Sequence, residues 1–195
     1  MTQIYNDKNL VVPVTKVLVE PNFITQIKTK EKEGANAIQV SFSTKKHLSK
    51  PLLGHYKELG NFQFSRDFLV DDVSSYKVGD EIKVESFAEN DEVSVTGTSK
   101  GHGFSGLVKR HKFAGHHATR GTKDQERTSG SIGATGAQRV FKGTRMAGRM
   151  GGERVTVLGL KIIKIDKENN VLYIKGAIPG ARNSMVMIKT EENKR

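Results

Sequence analysis

The chain is organised around the stretch Gly97–Gly152, which reads GTSKGHGFSGLVKRHKFAGHHATRGTKDQERTSGSIGATGAQRVFKGTRMAGRMGG. It holds eleven of the 32 Lys and Arg residues but only two of the 21 acidic residues, Asp124 and Glu126, so its formal charge is +9. The other 139 residues share a charge of only +2. A strongly basic segment in a nearly neutral chain predicts a negatively charged partner for that segment.

The same stretch is rich in glycine and poor in apolar side chains. It holds 13 of the 20 glycines, and Ile132 is the only large apolar residue between Ala114 and Arg139. Such a segment buries too little apolar surface to offset the entropy of ordering it. Drawn out and back at about 3.3 Å per residue, residues 114–139 would reach roughly 40 Å. We interpret them as an arm that enters folded nucleic acid, because long loops inside domains are normally functional or disordered.

Composition narrows the class of protein further. The net charge of +11 and the pI near 9.8 favour nucleic acid as the partner. A membrane partner is not expected, because a membrane-surface helix needs bulky apolar residues opposite its charges. The sequence shows neither a signal peptide nor an apolar run of about 20 residues. It contains no cysteine, which excludes disulfides, thiolate zinc sites and iron–sulfur clusters and favours a cytoplasmic compartment.

On both sides of the basic stretch, short segments with alternating apolar residues predict strands. The predicted strands are Gln3–Tyr5, Leu10–Glu20, Phe23–Thr29, Ala35–Ser43, one through Phe62, Phe64 and Phe68, one within Tyr76–Ala88, Glu92–Thr98, Arg154–Asp166, Val171–Lys175 and Ser184–Lys189. A turn is predicted at 7–9, a charged loop at 30–34, a helix over 51–59 and a frayed tail at 190–195. Turns at intervals of about ten residues favour a mainly β fold, an antiparallel barrel or sandwich.

The basic stretch stands between predicted strands, so it is an insertion in a fold and not a tail. We therefore predict a β body formed by residues 1–96 and 153–195, with the basic extension inserted at 97–152. Residues 45–75 combine a predicted helix and strand, and whether this α+β segment is a separate small subdomain is left open.

Three long motifs resemble one protein family. They are TGTSKGHGFSGLVKRHKF (96–113), GSIGATGAQRVFKGTRMAGRMGGERVTV (130–157) and VLYIKGAIPG (171–180), and they are similar to the bacterial-type ribosomal protein L-three family. VPVTKV and NAIQVSF fit the same family at lower similarity, so the resemblance covers nearly the whole chain. It implies a structural protein of the large ribosomal subunit, not an enzyme, with a translation-protein-type β-barrel and a small α+β insertion.

The resemblance also implies a location and partners. The family binds large-subunit (23S-type) rRNA near its 3′ end, acts early in assembly and extends a loop toward the peptidyl transferase centre. The implied neighbours are the large-subunit proteins L-fourteen and L-nineteen, and the implied location is the cytoplasmic ribosome, with an organellar ribosome as the alternative. Some members carry a methylated glutamine before the segment that matches RVFKG. Gln138 does not align with it, so the modification is not carried over.

The candidate rRNA-binding residues are the basic and histidine side chains of the stretch. Lys and Arg neutralise phosphates, Arg also stacks and makes forked contacts, and neutral His stacks and hydrogen-bonds in RNA sites. The set comprises Lys100, His102, Lys109, Arg110, His111, Lys112, His116, His117, Arg120, Lys123, Arg127, Arg139, Lys142, Arg145 and Arg149. Phe104 is expected to dock the root of the arm in the core, with stacking on a base as the alternative.

Three other functions are less favoured by the sequence. Metal or acid–base chemistry at the histidines lacks an HExxH-type pair, a cysteine or a paired nucleophile, so no metal, cofactor, catalytic residue or small-molecule substrate is predicted. GHGFSG and GRMGGE lack the features of nucleotide-binding loops. A general nucleic-acid binder fits the charge alone, but a basic tail would serve that role more simply than an insertion.

Overall fold

The computed structural model describes residues 1–6, 8–56 and 59–190. Residue 7 of the predicted turn, residues 57 and 58 of the helix predicted over 51–59 and residues 191–195 of the predicted tail lie outside the described residues. Lys8 and Asn9 lie in a turn, as predicted, and the N–H of Asn9 donates to the carbonyl of Asn6 at 2.9 Å. The remaining predictions of strands and helices can be compared with the structure directly.

Strands dominate the described chain, as the alternation of apolar residues predicted. In chain order they are β1 (Thr2–Tyr5), β2 (Val11–Leu18), β3 (Asn22–Lys28), β4 (Ala37–Thr44), β5 (Phe62–Leu69), β6 (Glu81–Ile82), β7 (Glu92–Thr98), β8 (Phe104–Ser105), β9 (Gly148–Arg149), β10 (Arg154–Asp166), β11 (Val171–Lys175) and β12 (Val186–Thr190). The helices are α1 (Lys30–Glu33), α2 (Lys50–Tyr56) and α3 (Leu107–His111), with 3-10 turns at Val84–Ser86 and Thr135–Ala137.

The strands form antiparallel sheets. One sheet has the order β1-β2-β11-β10-β7-β12, a second has the order β5-β4-β3-β6, and β8 pairs with β9 alone. A mainly β, antiparallel fold is therefore confirmed. The pairings of the described residues do not close a barrel, and the translation-protein-type barrel stays a prediction.

The chain divides into two compact units. The first comprises Met1–Ser94, Leu158–Ala177 and the chain from Lys189 onward, and the second comprises Val95–Val157 and Ile178–Ile188. The second unit thus contains the whole basic stretch, residues 97–152.

The first unit has an apolar core built from the inward-facing positions of its strands. Ile24 of β3 and Ile38 and Val40 of β4 are buried together, and Ile27, Phe68, Val70, Tyr76 and Ile82 pack against them. Alternate residues of a strand lie on one face of the sheet, which is why the alternation in the sequence predicted these strands. Ile24 pairs with Val40 across β3 and β4, and Ile27 pairs with Ile38.

One predicted loop is a helix in the structure. Lys30–Glu33 was predicted as a charged loop but forms the single turn α1. Gly34 ends it in the left-handed region, at φ 81°, and its N–H bonds to the carbonyl of Lys30. Asn36 Oδ1 accepts from the N–H of Lys30 at 2.9 Å. A glycine C-cap and a side-chain acceptor stabilise a turn too short to show helical periodicity.

The hairpin predicted from Arg154 to Lys175 is confirmed, with β10 and β11 paired antiparallel. Its turn is held by Asp166, whose carboxylate accepts from the N–H of Asn169 at 3.1 Å and from Asn169 Nδ2 at 2.8 Å. These two hydrogen bonds and the nearby Lys164 favour the charged carboxylate, so the pKa of Asp166 lies below its ordinary value of 3.8.

We expect Asn169→Ala to raise the pKa of Asp166 toward its ordinary value, as measured by NMR titration of the carboxyl carbon. The pKa is depressed in the folded state, so the turn's stabilisation is present above about pH 4 and is lost as the pH falls through the folded pKa. The pKa of Asp72, lowered by hydrogen bonds from Ser74, is the internal control. An unchanged pKa of Asp166 in the variant would contradict the assignment.

Candidate nucleic-acid interface

The two ends of the basic stretch are joined by backbone pairing within the second unit. Ser99 N–H donates to the carbonyl of Glu153 at 2.9 Å, and His102 N–H donates to that of Met150 at 2.8 Å. Met150 N–H returns a bond to the carbonyl of Gly103 at 2.9 Å. We call this paired segment, residues 99–105 and 148–153, the root. This pairing holds the beginning and the end of the basic stretch side by side.

Gly151 is required by the geometry of the root. Its φ is +77°, and a Cβ built there would overlap the carbonyl oxygen of Lys100. The backbone of Gly101 lies within 3.0 Å of the same position. Only a residue without a side chain fits between these two backbone segments.

The helix α3 follows the root and is attached to the returning chain by Arg110. Its guanidinium Nη1 donates to the carbonyl of Met146 at 2.7 Å. Arg110 thus joins α3 to the segment around Met146. Because a guanidinium has five N–H donors, the side chain retains donors for an external acceptor. Lys112 ends the helix in the left-handed region at φ 62°.

Beyond α3 the arm, residues 114–139, forms two small loops. The first is closed by the N–H of His116, which donates to the carbonyl of Glu126 at 2.9 Å. Gly115 allows this approach, because a Cβ there would overlap the same carbonyl oxygen. Arg120 and Lys123 lie on the loop that this bond closes. The arm is therefore compact at residues 115–127, whereas the sequence predicted only an extended loop.

The second loop covers residues 130–139. Ser131 Oγ donates to the carbonyl of Gly133 at 2.9 Å, and the 3-10 turn Thr135–Ala137 follows. At its end the guanidinium carbon of Arg139 lies 5.6 Å from the ring centre of Phe141, within the range of a cation–π interaction.

Nearly all the predicted RNA-binding side chains are on the surface of the second unit. Arg110 and His111 are half-buried. The exposed residues are Lys100, His102, Lys109, Lys112, His116, His117, Arg120, Lys123, Arg127, Arg139, Lys142, Arg145 and Arg149. The structure thus spreads the set over the root, α3 and the arm, and does not gather it into one pocket.

The cations of the stretch are not neutralised within the described chain. The ion pairs between described residues are Lys28–Asp67, Lys83–Glu81, Lys161–Glu92 and Lys167–Glu85, all in the first unit. Asp124 and Glu126 lie on the arm, yet neither comes within ion-pairing distance of a described Lys or Arg. The positive charge of the second unit is therefore available to an external anion.

The structure shows two features that the sequence did not predict, the exposure of Phe104 and a buried ring nitrogen in His111. Phe104 was predicted to dock in the core, but it is 81% exposed, and this prediction is wrong. It lies on the two-residue strand β8, which pairs only with β9 among the described strands, opposite Arg149, and the described chain leaves its ring uncovered. His111 has a buried Nε2 atom that finds no hydrogen-bond partner among the described residues.

Phe141 was missed by the sequence interpretation. It is 55% exposed and lies beside Arg139. An aromatic residue followed by Lys142 in a polar segment is the sequence signal that could have identified it. Together with Phe104 it gives the charged surface two exposed aromatic faces, the side chains on which unpaired bases stack.

Other kinds of site find little support in the described residues. No group of three or more His, Asp and Glu side chains in residues 1–6, 8–56 and 59–190 is placed to hold a metal ion. Over the same residues, none of the helices is both long enough and apolar enough to cross a membrane.

An antiparallel β protein with exposed cations that pair with no described carboxylate, and with two exposed aromatic rings, has the surface that is typical of basic, polyanion-binding proteins. Comparison with known proteins identifies the family. Residues 52–171 match the family model described as Ribosomal protein L3.

Curated relatives named Large ribosomal subunit protein uL3 align over nearly the whole chain. The protein of Corynebacterium aurimucosum is 51% identical in an alignment that covers 97% of this chain and 89% of that protein. The protein of Herpetosiphon aurantiacus is 45% identical over 96% of this chain and 91% of its own length. That of Chlorobium limicola is 43% identical over 96% and 93%.

The chain therefore belongs to the ribosomal protein L3 family. Members of this family are structural constituents of the large subunit of the cytoplasmic ribosome and are not enzymes. The resemblance inferred from the three motifs is confirmed.

Proposed function

We propose that this chain binds large-subunit rRNA near its 3′ end through the stretch 97–152, acts early in subunit assembly and extends residues 114–139 toward the peptidyl transferase centre. The observation that carries the proposal is the set of exposed cations in the second unit, none of which has a carboxylate partner in the described chain. Unpaired cations at this density are stabilised by the phosphates of a nucleic acid.

The two units differ in their charge and in their buried apolar residues, and this difference suggests a separate role for each. The first unit contains the described ion pairs and a buried apolar cluster, which suit a self-stable body. The second unit has few buried side chains and many glycines. We propose that residues 1–96 and 153–195 form the body, completed as a translation-protein-type barrel, and that 97–152 is the RNA-binding extension.

Each part of the stretch has a distinct role in this proposal. Root and helix residues, Arg110 and Arg149 among them, fix the direction of the extension, and the arm cations Arg120, Lys123 and Arg127 meet phosphates. Phe104 and Phe141 stack on unpaired bases.

The proposal also includes protein neighbours. Large-subunit proteins L-fourteen and L-nineteen are the expected contacts, on the strength of the family. Their test is a chemical crosslink between this chain and each neighbour within purified large subunits.

The salt dependence of RNA binding tests the role of the arm. We expect Arg120→Gln, Lys123→Gln and Arg127→Gln, combined in one variant, to bind protein-free bacterial large-subunit rRNA with a shallower salt dependence. Each lost phosphate contact lowers the slope of log K against log salt by about 0.7–0.9, so three contacts lower it by about 2 to 3. Filter binding between 50 and 200 mM salt measures the slope.

The matched control removes the same charge elsewhere. Lys83→Gln, Lys161→Gln and Lys167→Gln remove three cations that already pair with Glu81, Glu92 and Glu85. We expect this control to keep nearly the wild-type slope. Equal slopes for the two triple variants would show that the arm acts only through total charge and would contradict the proposal.

A further inference from the structure

A second basic segment lies in the first unit, outside the stretch already discussed. No Asp or Glu occurs between Glu33 and Glu58, whereas this interval contains Lys45, Lys46, Lys50 and Lys57. The rest of the chain outside 97–152 is therefore slightly negative. The positive charge of the body is therefore concentrated in residues 34–57, just as that of the second unit is concentrated in residues 97–152.

The lysines of this segment are exposed and unpaired. Lys45, Lys46 and Lys50 are exposed, as is His47 between them. None of them is in an ion pair with a described carboxylate. Other lysines of the same unit, such as Lys28 and Lys161, do have such partners, at 2.8 Å and 3.3 Å. The charge of Lys45, Lys46 and Lys50 is therefore not compensated by a described carboxylate at ion-pairing distance.

The backbone that carries these lysines is held at both ends. At the start, the N–H of Lys45 donates to the carbonyl of Asn61 at 2.9 Å. At the end, Tyr56 is only 3% exposed and packs edge-to-face on Phe62, with ring centres 5.4 Å apart. Phe62 in turn contacts Phe23 at 5.6 Å. The segment is therefore a fixed part of the body.

A polar network adds a further anchor for α2. His55 Nε2 lies 2.6 Å from Gln39 Oε1, and Gln39 Nε2 donates to Asp67 at 3.3 Å. Because Asp67 accepts from the amide nitrogen of Gln39, the amide oxygen faces His55 and Nε2 of His55 carries a proton. The same oxygen accepts from Thr25 Oγ1 at 3.0 Å. These bonds fix α2 against the sheet, so Lys50 at its start has a defined position.

We propose that Lys45, Lys46 and Lys50, together with His47, form a second phosphate-binding surface, which contacts the backbone of the same RNA as the stretch 97–152. This inference rests on the proposed function. A phosphate backbone fits better than a protein partner, because the segment 34–57 carries lysines and no carboxylate, and each ammonium group can meet a phosphate as a point charge. Leu52 and Leu53, 40% and 44% exposed on α2, are the feature that a protein partner would use instead.

The test combines Lys45→Gln, Lys46→Gln and Lys50→Gln in the full chain. We expect the slope of log K against log salt for protein-free bacterial large-subunit rRNA to become shallower by about 2 to 3, as for three phosphate contacts. The triple variant of Lys83, Lys161 and Lys167 is again the control. Thermal unfolding should match that of the wild type, because the anchoring contacts of Lys45 are made by its backbone.

Hydroxyl-radical footprinting separates this inference from the proposed function. We expect this body variant and the arm variant Arg120→Gln, Lys123→Gln, Arg127→Gln to lose protection at different riboses of the RNA. A body variant with the wild-type slope and the wild-type footprint would overturn the second surface while leaving the arm's role intact. The same would hold if Leu52→Ser with Leu53→Ser weakened subunit incorporation and the lysine variant did not, since the face would then bind protein. Failure of the wild-type chain to bind the RNA would overturn both.

Discussion

Removing the arm, residues 114–139, and joining Phe113 to Val140 through a short Gly-Ser linker should abolish incorporation into the large subunit while leaving a folded protein. Every hydrogen bond that the structure describes for these residues has both partners inside the range. The deletion therefore leaves the root pairing and the core of the first unit in place. It removes four cations and the whole part of the chain proposed to enter the RNA.

Sucrose-gradient fractionation of cells that express the tagged variant measures this effect. We expect the tagged protein in the large-subunit peak to fall below about a tenth of the wild-type level, since a tenfold loss requires only about 1.4 kcal/mol of binding free energy. Circular dichroism of the purified variant should retain the β signal and the wild-type melting temperature. Normal incorporation of this variant would rule out the arm as the RNA-binding element.

Gly151→Ala should destabilise the root strongly. The substitution places a Cβ against the carbonyl oxygen of Lys100 at a residue whose φ is +77°. A left-handed conformation costs an alanine about 1–2 kcal/mol, and steric overlap with backbone that cannot rotate away costs about 1–3 kcal/mol more. The nearest relief is to break the pairing between His102 and Met150.

Hydrogen exchange at the amides of His102 and Met150 reports the effect directly, and we expect protection there to fall by a factor corresponding to about 2–5 kcal/mol. Gly101→Ala is the matched control, because its Cβ would meet no atom within 4 Å and its φ is not positive. Equal protection in the two variants would show that the close approach of Gly151 to Lys100 does not hold the root together.

The strands that the sequence predicted well are those whose apolar residues alternate and end at clear turns. Glu92–Thr98, Arg154–Asp166 and Val171–Lys175 were predicted with the bounds that the structure gives. Val93 and Val95 are fully buried on one face of β7, so side-chain burial and sequence alternation express the same constraint. Hydrophobic periodicity is a local signal, and these strands depend on little else.

Features that depend on contacts distant in sequence were not predictable in this way. The bond from His116 to Glu126 closes a loop in a segment with no periodicity, and Arg110 reaches Met146 across 36 residues. Phe104 was assigned to a core because aromatic rings are usually buried, but a two-residue strand provides no layer to cover it. In each case the missing information was the location of a partner residue in space.

The candidate site shows the same division. Charge counting along the sequence located the basic stretch, and the family resemblance agrees with it. Neither showed that Arg110 donates a hydrogen bond to the carbonyl of Met146, or that the buried Nε2 of His111 has no hydrogen-bond partner among the described residues. Which cations reach phosphates depends on the shape of the RNA surface, which the sequence of the protein does not contain.

Crosslinking of the tagged protein to RNA in a cell lysate, followed by sequencing of the bound RNA at 50 and 200 mM salt, tests the central claim most directly. Six to ten purely electrostatic phosphate contacts would lose about 10³- to 10⁵-fold in affinity over this range. If the stretch 97–152 occupies a shaped site, crosslinks will map to a few positions in large-subunit rRNA and survive the higher salt. Crosslinks scattered over many RNAs that disappear at 200 mM salt would instead show a general polyanion binder and contradict the account.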